Sequence, residues 1–276
     1  MNKKLQKGSN IRIMSSNIWG NCSKETPIAT RDDKIALVYR KYLPDVIGMQ
    51  ECSPKARAQE LNLWRLIQDQ YSEVPAVPSN ELKNNYTSVV YRTDKFNLID
   101  FGWSYYSGLN DKGSKSLTWC VLENKKTKKQ FLFFNTHYYW TGDEPGKLAR
   151  IENTKEFLTI FKEIYGKYKL PAFFTGDFNC RSDEPPIQAL ISEDFVESRT
   201  NAKIRTSKYR SHHKYPTYYP EEGTYHDGVV PNLEPERSID HIFTYGHVET
   251  LTYHTVIDPE SLEASDHCPI YIDAKI

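Results

Sequence analysis

Cysteine is scarce and scattered. The 276 residues hold five, Cys22, Cys52, Cys120, Cys180 and Cys268, and no CxxC pair. An odd number at wide spacing argues against a disulfide framework or a structural zinc site, so they read as small buried packing residues. Long apolar runs are also missing. None approaches the ~20 residues that span a bilayer. Residues 11–19, behind the polar start MNKKLQKGSN, are too short and too polar for the core of an export signal. The chain is therefore expected in the cytoplasm, although a secreted form with its leader removed would read the same. Net charge is the third absence: 36 Lys and Arg balance 36 Asp and Glu. That excludes the global positive field of a protein that coats nucleic acid, but leaves room for a local basic patch. No internal repeat at fixed period and no low-complexity linker interrupts the sequence.

What is present is a mixture of strand-like and helix-like segments along the whole length. Ile11–Met14, Val46–Met49, Tyr86–Tyr91, Phe96–Phe101, Leu117–Leu122, Gln130–Thr136, Ala172–Thr175, Ile239–Thr244, Val248–Val256 and Pro269–Ile272 are apolar or β-branched runs of strand length. Helices are expected over residues 30–43, with Thr30 as N-cap and Pro44 as stop, and from Ser53-Pro54 through Ala58, Leu61, Trp64, Leu66 and Ile67. Two more are expected over Gly146–Tyr165 and Pro186–Ile191, whereas residues 199–235 read as loop. The length suits one large domain or two small ones. The even mixture favours a single α/β domain over residues 1–276, two packed sheets with helices outside, behind a disordered tail at residues 1–10.

Polar groups recur at strand ends. Asn17, Gln50-Glu51, Asn135-Thr136-His137, Gly176-Asp177-Phe178-Asn179 and Asp240-His241 each end or border an apolar run, and Ser265-Asp266-His267 precedes the last strand. Carboxylates and amides gathered this way can converge in one cleft. Hard cations take such oxygen ligands. A phosphate ester needs a cation to neutralise its charge and steady its leaving oxygen, and a base such as His to activate water.

Taken in order, these elements resemble the endonuclease/exonuclease/phosphatase superfamily, of deoxyribonuclease I-like fold, and specifically a small bacterial-type member. The match runs from the first strand to the last, and GDFN followed by SDH is specific as a pair. The resemblance implies a four-layer α/β/β/α sandwich of two packed, mainly antiparallel sheets flanked by helices. It implies Glu51 as principal metal ligand, with Asn17 and Asp266 beside it, for Mg²⁺ or Mn²⁺, with Ca²⁺ as a further candidate. It also implies His267 as catalytic histidine, Asp240 as the carboxylate that orients it, Asp177 and Asn179 as holders of the attacking water, and His137 as a donor to the phosphate. The chain departs from the family pattern after His137, where it reads Tyr-Tyr-Trp-Thr, and His241 reads as structural.

Singly, each residue has an ordinary explanation. Asn17 can cap a turn, Glu51 can favour a helix start, Asp177 can form an Asx-turn and Asp266-His267 can be a surface ion pair. Independent accidents have no reason to fall at successive strand ends, so the joint pattern outweighs them. The segment from Arg199 through Arg205 and Arg210 to Lys214 carries no acid and interleaves Tyr209. It reads equally as a phosphate-gathering loop or as a solvated basic one. His226, in Gly223-Thr224-Tyr225-His226, is a further substrate-contact candidate by resemblance. Three functions follow: hydrolysis of a small phosphate ester or phospholipid headgroup, a nuclease on short or single-stranded nucleic acid, or a non-catalytic phosphate-ligand binder. A monomer without an obligatory protein partner is expected.

Overall fold

The computed structural model describes residues 3–20, 30–52, 63–75, 86–111, 113–213, 218–219, 224–225 and 234–276. Its strands are, in chain order, β1 (Ile11–Asn17), β2 (Val46–Gln50), β3 (Tyr71–Glu73), β4 (Val89–Arg92), β5 (Phe96–Tyr105), β6 (Ser116–Asn124), β7 (Gln130–His137), β8 (Ala172–Asp177), β9 (Val196–Glu197), β10 (Ile204–Arg205), β11 (Tyr218–Tyr219), β12 (Thr224–Tyr225), β13 (Asp240–Tyr245), β14 (Glu249–Thr255) and β15 (Ile270–Lys275). The helices are α1 (Asp32–Tyr42), α2 (Leu63–Ile67), α3 (Glu144–Tyr168), α4 (Pro185–Ser192), α5 (Ser198–Asn201) and α6 (Pro259–Ala264). No helix among the described residues is long and apolar enough to cross a membrane.

Two sheets carry the fold. The first runs β10-β14-β15-β1-β2-β4-β3 and the second β5-β6-β7-β8-β13-β9, with β11 and β12 as a separate pair. Most neighbours are antiparallel; β1/β2, β7/β8 and β10/β14 are parallel. Strand periodicity sorts the side chains. Ile11, Ile13, Val46, Phe131, Phe133, Phe173 and Ile242 form the core between the sheets. Met14, Ile47 and Met49, on the opposite face of the first sheet, pack under α1, α2 and α6 through Ile35, Tyr39, Leu63 and Ala264. Phe134, Phe174 and Phe243 on the far face of the second sheet meet Phe157 and Phe161 of α3 and Leu190 of α4. Phe157 and Phe174 lie stacked at 3.7 Å between centroids. The result is the expected four-layer α/β/β/α sandwich.

Several expected boundaries move. Residues 3–10 are not a loose tail: the Gln6 amide donates to Asp273 Oδ2 at 2.8 Å and the Asn10 amide to the Ala274 carbonyl at 2.9 Å. Thr30 does not cap α1, whose N-cap is Arg31, without a side-chain cap bond; Asp32 and Asp33 supply favourable charge in the first turn. The helix stops at Leu43, in the left-handed region with φ 48°, just before Pro44. Of the expected 53–67 helix, Leu63–Ile67 is described; the Ser53-Pro54 start lies outside the described residues. α3 begins earlier than expected because Asp143 caps it, accepting from the Gly146 amide at 3.0 Å. Residues 199–235 hold the short α5, β10, β11 and β12 rather than loop alone.

Near one end of the sandwich the inter-sheet layer turns polar. Gln50 Nε2 donates to Asn135 Oδ1 at 2.7 Å, Asn135 Nδ2 to the Met49 carbonyl at 2.8 Å, and Thr175 Oγ1 to Asn135 Oδ1 at 3.1 Å. Gly48 makes this closeness possible. A Cβ there would lie 2.2 Å from Thr175 Oγ1 and 2.5 Å from Asn135 Oδ1. Gly48→Ala should therefore force these bonded side chains apart and cost about 2–3 kcal/mol, the scale of overpacking. Urea denaturation measures this, and an unchanged midpoint would show that the layer yields freely.

Candidate active site

Sheet register assembles half of the site. His137 pairs with Asp177 across β7/β8, and Asp177 pairs with Asp240 across β8/β13, so the three stand in a row on adjacent strands. Period two continues the buried faces of Phe133, Phe173 and Ile242, which aims all three into the space between sheets. On the first sheet, Asn17 pairs with Gln50 across β1/β2, which brings Asn17 beside Glu51. By alternation Glu51 would follow Met49 to the outer face. Its left-handed backbone, φ 60°, breaks the alternation, and the side chain lines the cleft instead. Asn179 is also left-handed, φ 51°. Such strain in non-glycine residues concentrates at functional sites.

Hydrogen bonds join the two sheets. Asn17 Nδ2 donates to Asp177 Oδ2 at 3.0 Å and to Glu51 Oε1 at 3.2 Å, while its Oδ1 accepts the Trp19 amide at 2.9 Å. That contact fixes which end of the amide is oxygen and leaves one lone pair for a cation. Asn179 donates its amide to Asp177 Oδ1 at 2.9 Å and Nδ2 to the Tyr138 carbonyl at 3.1 Å. His267 Nδ1 donates to Asp240 Oδ2 at 2.8 Å, and Ser211 Oγ donates to the same oxygen at 2.6 Å. His267 Nε2 is left facing Asp177 Oδ2 at 3.7 Å.

The cleft is about 590 Å³ and is lined by Glu51, His137, Asp177, Asn179, Asp266 and His267, with Asp240 behind them. Its electrostatics follow from crowding in a dry place. Burial alone would lower His267, but the charges of Asp240 and Asp177 and the bond to Asp240 raise it well above its ordinary value. Burial and the charge of Asp240 raise Asp177, against the pull of His267. Burial likewise pushes Asp266 up to about 6; His267 pulls it down and the charge of Glu51 pushes it up. His137 is driven well below its ordinary range by burial, then by Lys115 and His267, so it is neutral. Two carboxylates that repel each other across a cleft, with an amide oxygen at hand, are the donor set a hard cation suits. Glu51, Asp266 and Asn17 therefore fit Mg²⁺, Mn²⁺ or Ca²⁺. Among the described residues, ligand atoms of His212, Asp266 and His267, and of Asp177, Asp240 and His267, lie within 4.8 Å of one another. His267 is already committed to Asp240, which makes these sets poorer cation cages.

All eight principal expected residues thus converge. The basic ones do not. Arg199 donates to Ser182 Oγ at 2.8 Å and pairs with Glu197 at 3.6 Å; Arg205 is exposed on β10. Neither these nor Arg210 lines the cleft. His226 lies outside the described residues. Conversely, Lys115, His212, Trp19, Tyr86, Asp111 and Trp140 line the cleft without having been expected there. Lys115 belongs to no strand-end motif, and the pairing of β6 with β7 is what brings it in. Leu117 pairs with Thr136, so the start of β6 lies at the end of β7 that carries His137, and Lys115 just ahead of it reaches the ring at 3.0 Å.

His241 is structural, as expected, but by hydrogen bonding. Its Nδ1 faces Glu197 Oε1 at 2.9 Å and its Nε2 faces the Cys180 carbonyl at 2.9 Å. Oxygen atoms flank the ring on both sides and fix its orientation. The ring thereby ties the backbone just after Asn179 to β9. Burial would raise the Glu197 carboxyl, but His241, Ser182 and Arg199 outweigh it and hold it at about 2. A depressed carboxylate stabilises the fold fully above its unfolded value near 4.5, and loses that contribution as pH falls toward about 2. Glu197→Gln should cost roughly 3 kcal/mol at neutral pH and flatten the fall in stability over this window. Denaturant titrations from pH 6 to pH 2.5 read both effects; parallel curves for the two proteins would refute the link.

The family model for the endonuclease/exonuclease/phosphatase family matches residues 14–267. No curated protein matches the sequence. Among solved structures, a mannosyl-6-phosphatase of Bacteroides thetaiotaomicron superposes with a TM-score of 0.74 at 22% identity, covering 97% of this chain and 100% of its own. The human Nocturnin catalytic domain with bound sulfate gives a TM-score of 0.68 at 18% identity, covering 96% of this chain and 94% of that one. TDP2 from C. elegans gives 0.67 at 16%, covering 99% and 76%. At these identities the likeness is one of fold.

Proposed function

Because this chain belongs to the endonuclease/exonuclease/phosphatase family, we propose that it is a divalent-metal-dependent hydrolase of phosphate esters. The observation that carries the reading is the His267–Asp240 pair at 2.8 Å, set against Asp177 and Asn179 in the cleft that Glu51 and Asp266 also line. Glu51, Asp266 and the free lone pair of Asn17 would hold Mg²⁺ or Mn²⁺. The bound ion would supply Lewis acidity toward the phosphoryl oxygen and steady the leaving oxygen.

The protein groups do the rest. Asp177, with Asn179 bonded to it, orients a water for in-line attack. The O–P bond to water forms as the ester P–O bond breaks. The proton shed by water is taken within the His267–Asp177 pair, and the departing alkoxide is reprotonated to the alcohol by solvent. Asp240 holds the His267 ring through Nδ1, which keeps Nε2 toward the cleft. His137, neutral and buried at the cleft floor, donates to a phosphate oxygen.

A small ester is favoured over a long nucleic acid, because Arg199, Arg205 and Arg210 do not line the cleft. The sugar phosphatase among the structural neighbours supports the same preference. The test is a panel of phosphomonoesters, phosphodiesters, sphingomyelin and oligonucleotides with Mg²⁺, Mn²⁺ or Ca²⁺. EDTA-sensitive turnover strongest on a small ester is expected. Turnover that survives EDTA, or none on any ester, would overturn the reading.

A further inference from the structure

We propose that Lys115 is a substrate-binding residue that takes an oxygen of the phosphoryl group beside His137. The proposal rests on the phosphoesterase reading and adds to it a residue that the strand-end motifs do not contain.

Lys115 is only 4% exposed, yet it lines the cleft. Its Nζ stands 3.0 Å from His137 Nε2 and 3.3 Å from Nδ1. An ammonium carries three hydrogens, and one ring accepts at most one of them well. Among the described residues no carboxylate lies within ion-pair distance of Nζ. Glu51, Asp177 and Asp111 act on it only through longer-range attraction. Burying a cation without a bonded anion is costly: burial lowers the Lys115 pKa against the pull of those acids, and an anion entering the cleft would offset the cost.

The approach to Lys115 is built. The Asn110 carbonyl accepts the amides of Gly113, Ser114 and Lys115 at 3.0, 2.8 and 3.1 Å. Asn110 Oδ1 takes the Gly113 amide at 3.0 Å, and its Nδ2 donates to the Tyr106 carbonyl at 3.0 Å. Gly113 supplies the positive φ of 92° that this turn requires. The ammonium is thus delivered from a braced turn rather than from a mobile loop.

Charge makes the case specific. The described cleft lining carries Glu51, Asp111, Asp177 and Asp266, and Lys115 is its sole Lys or Arg. A phosphate ester brings further negative charge into that set. A cation bound at Glu51 and Asp266 would offset the acids around it, and Lys115 supplies a positive pole on the His137 side of the cleft, away from the His267–Asp240 pair. Lysine suits this as a compact point charge with rotatable donors.

The experiment is calorimetric titration of the Mn²⁺-loaded protein with inorganic phosphate, comparing wild type with Lys115→Met, Lys115→Gln and Lys115→Arg. Met and Gln should weaken phosphate binding tenfold or more, with Arg recovering much of the loss and Mn²⁺ affinity staying within twofold. The melting temperature of Lys115→Met should hold or rise, since an unpaired buried charge is removed. Phosphate affinity unchanged in a folded Met or Gln variant would overturn the proposal, as would absence of phosphate binding by the wild type. Failure of the phosphoesterase reading shows separately, as a wild type that binds phosphate through Lys115 but turns over no ester.

Discussion

Glu51→Gln is expected to lower metal-dependent turnover by about a thousandfold or more while leaving the protein folded. A bound cation contributes several kcal/mol of transition-state stabilisation, and about 4 kcal/mol corresponds to that factor. Glutamine keeps the shape and can still accept from Asn17 Nδ2, so the 3.2 Å contact need not be lost. What disappears is the negative charge that would face the proposed cation. The same charge helps to push Asp266 up to about 6, so its removal relieves a repulsion. Thermal stability without metal should therefore hold or rise, the usual opposition between a strained site and a stable one. Mn²⁺ calorimetry, kcat at saturating Mg²⁺ and a melting curve read the three effects. Turnover within tenfold of wild type at saturating metal would remove Glu51 from the cation site.

His267→Ala should cost about 10²–10⁴ in kcat, the range for a positioned proton-transfer group. Asp240→Asn should cost less, since the imidazole remains but its Nδ1 partner changes. These two residues act as a unit through one 2.8 Å bond, so their effects should not add. The double variant should be no slower than His267→Ala alone. Ser211 offers a control. Its hydroxyl donates to the same Asp240 oxygen, and Ser211→Ala should give a milder loss. Fully additive losses across the cycle would mean that Asp240 does not work through His267.

The pattern of apolar runs ending in polar groups was enough to mark most strand segments and to single out eight polar residues that the fold gathers at one cleft, because alternation along a strand acts locally. Where the sequence misled, contacts distant in the chain decided the outcome. Thr30 looked like a cap, but Arg31 buries its guanidinium against the carbonyls of Ile18, Trp19 and Ala264, and this sets where α1 begins. Arg199 looked like part of a basic loop, but Glu197 and Ser182 claim it. His212 reaches the cleft through a bridge to His267, its neighbour across more than fifty residues. Lys115 lies just ahead of a strand and in no motif, so nothing in the sequence marks it. Glu51 itself was legible, whereas the backbone reversal that turns it inward was not.

The placement of the eight residues on two separate sheets has a practical consequence. Asn17 ends β1, Glu51 directly follows β2 and Asp266-His267 leads into β15, all of the first sheet, whereas His137, Asp177 and Asp240 belong to the second and Asn179 follows its β8. The Asn17–Asp177 and His267–Asp240 bonds cross the seam. Neither sheet alone holds a working constellation, and sliding one over the other by an ångström would misalign it. Catalysis then doubles as a gauge of docking. During refolding, recovery of turnover should lag the return of strand content in far-ultraviolet circular dichroism and coincide with burial of the interface between the sheets.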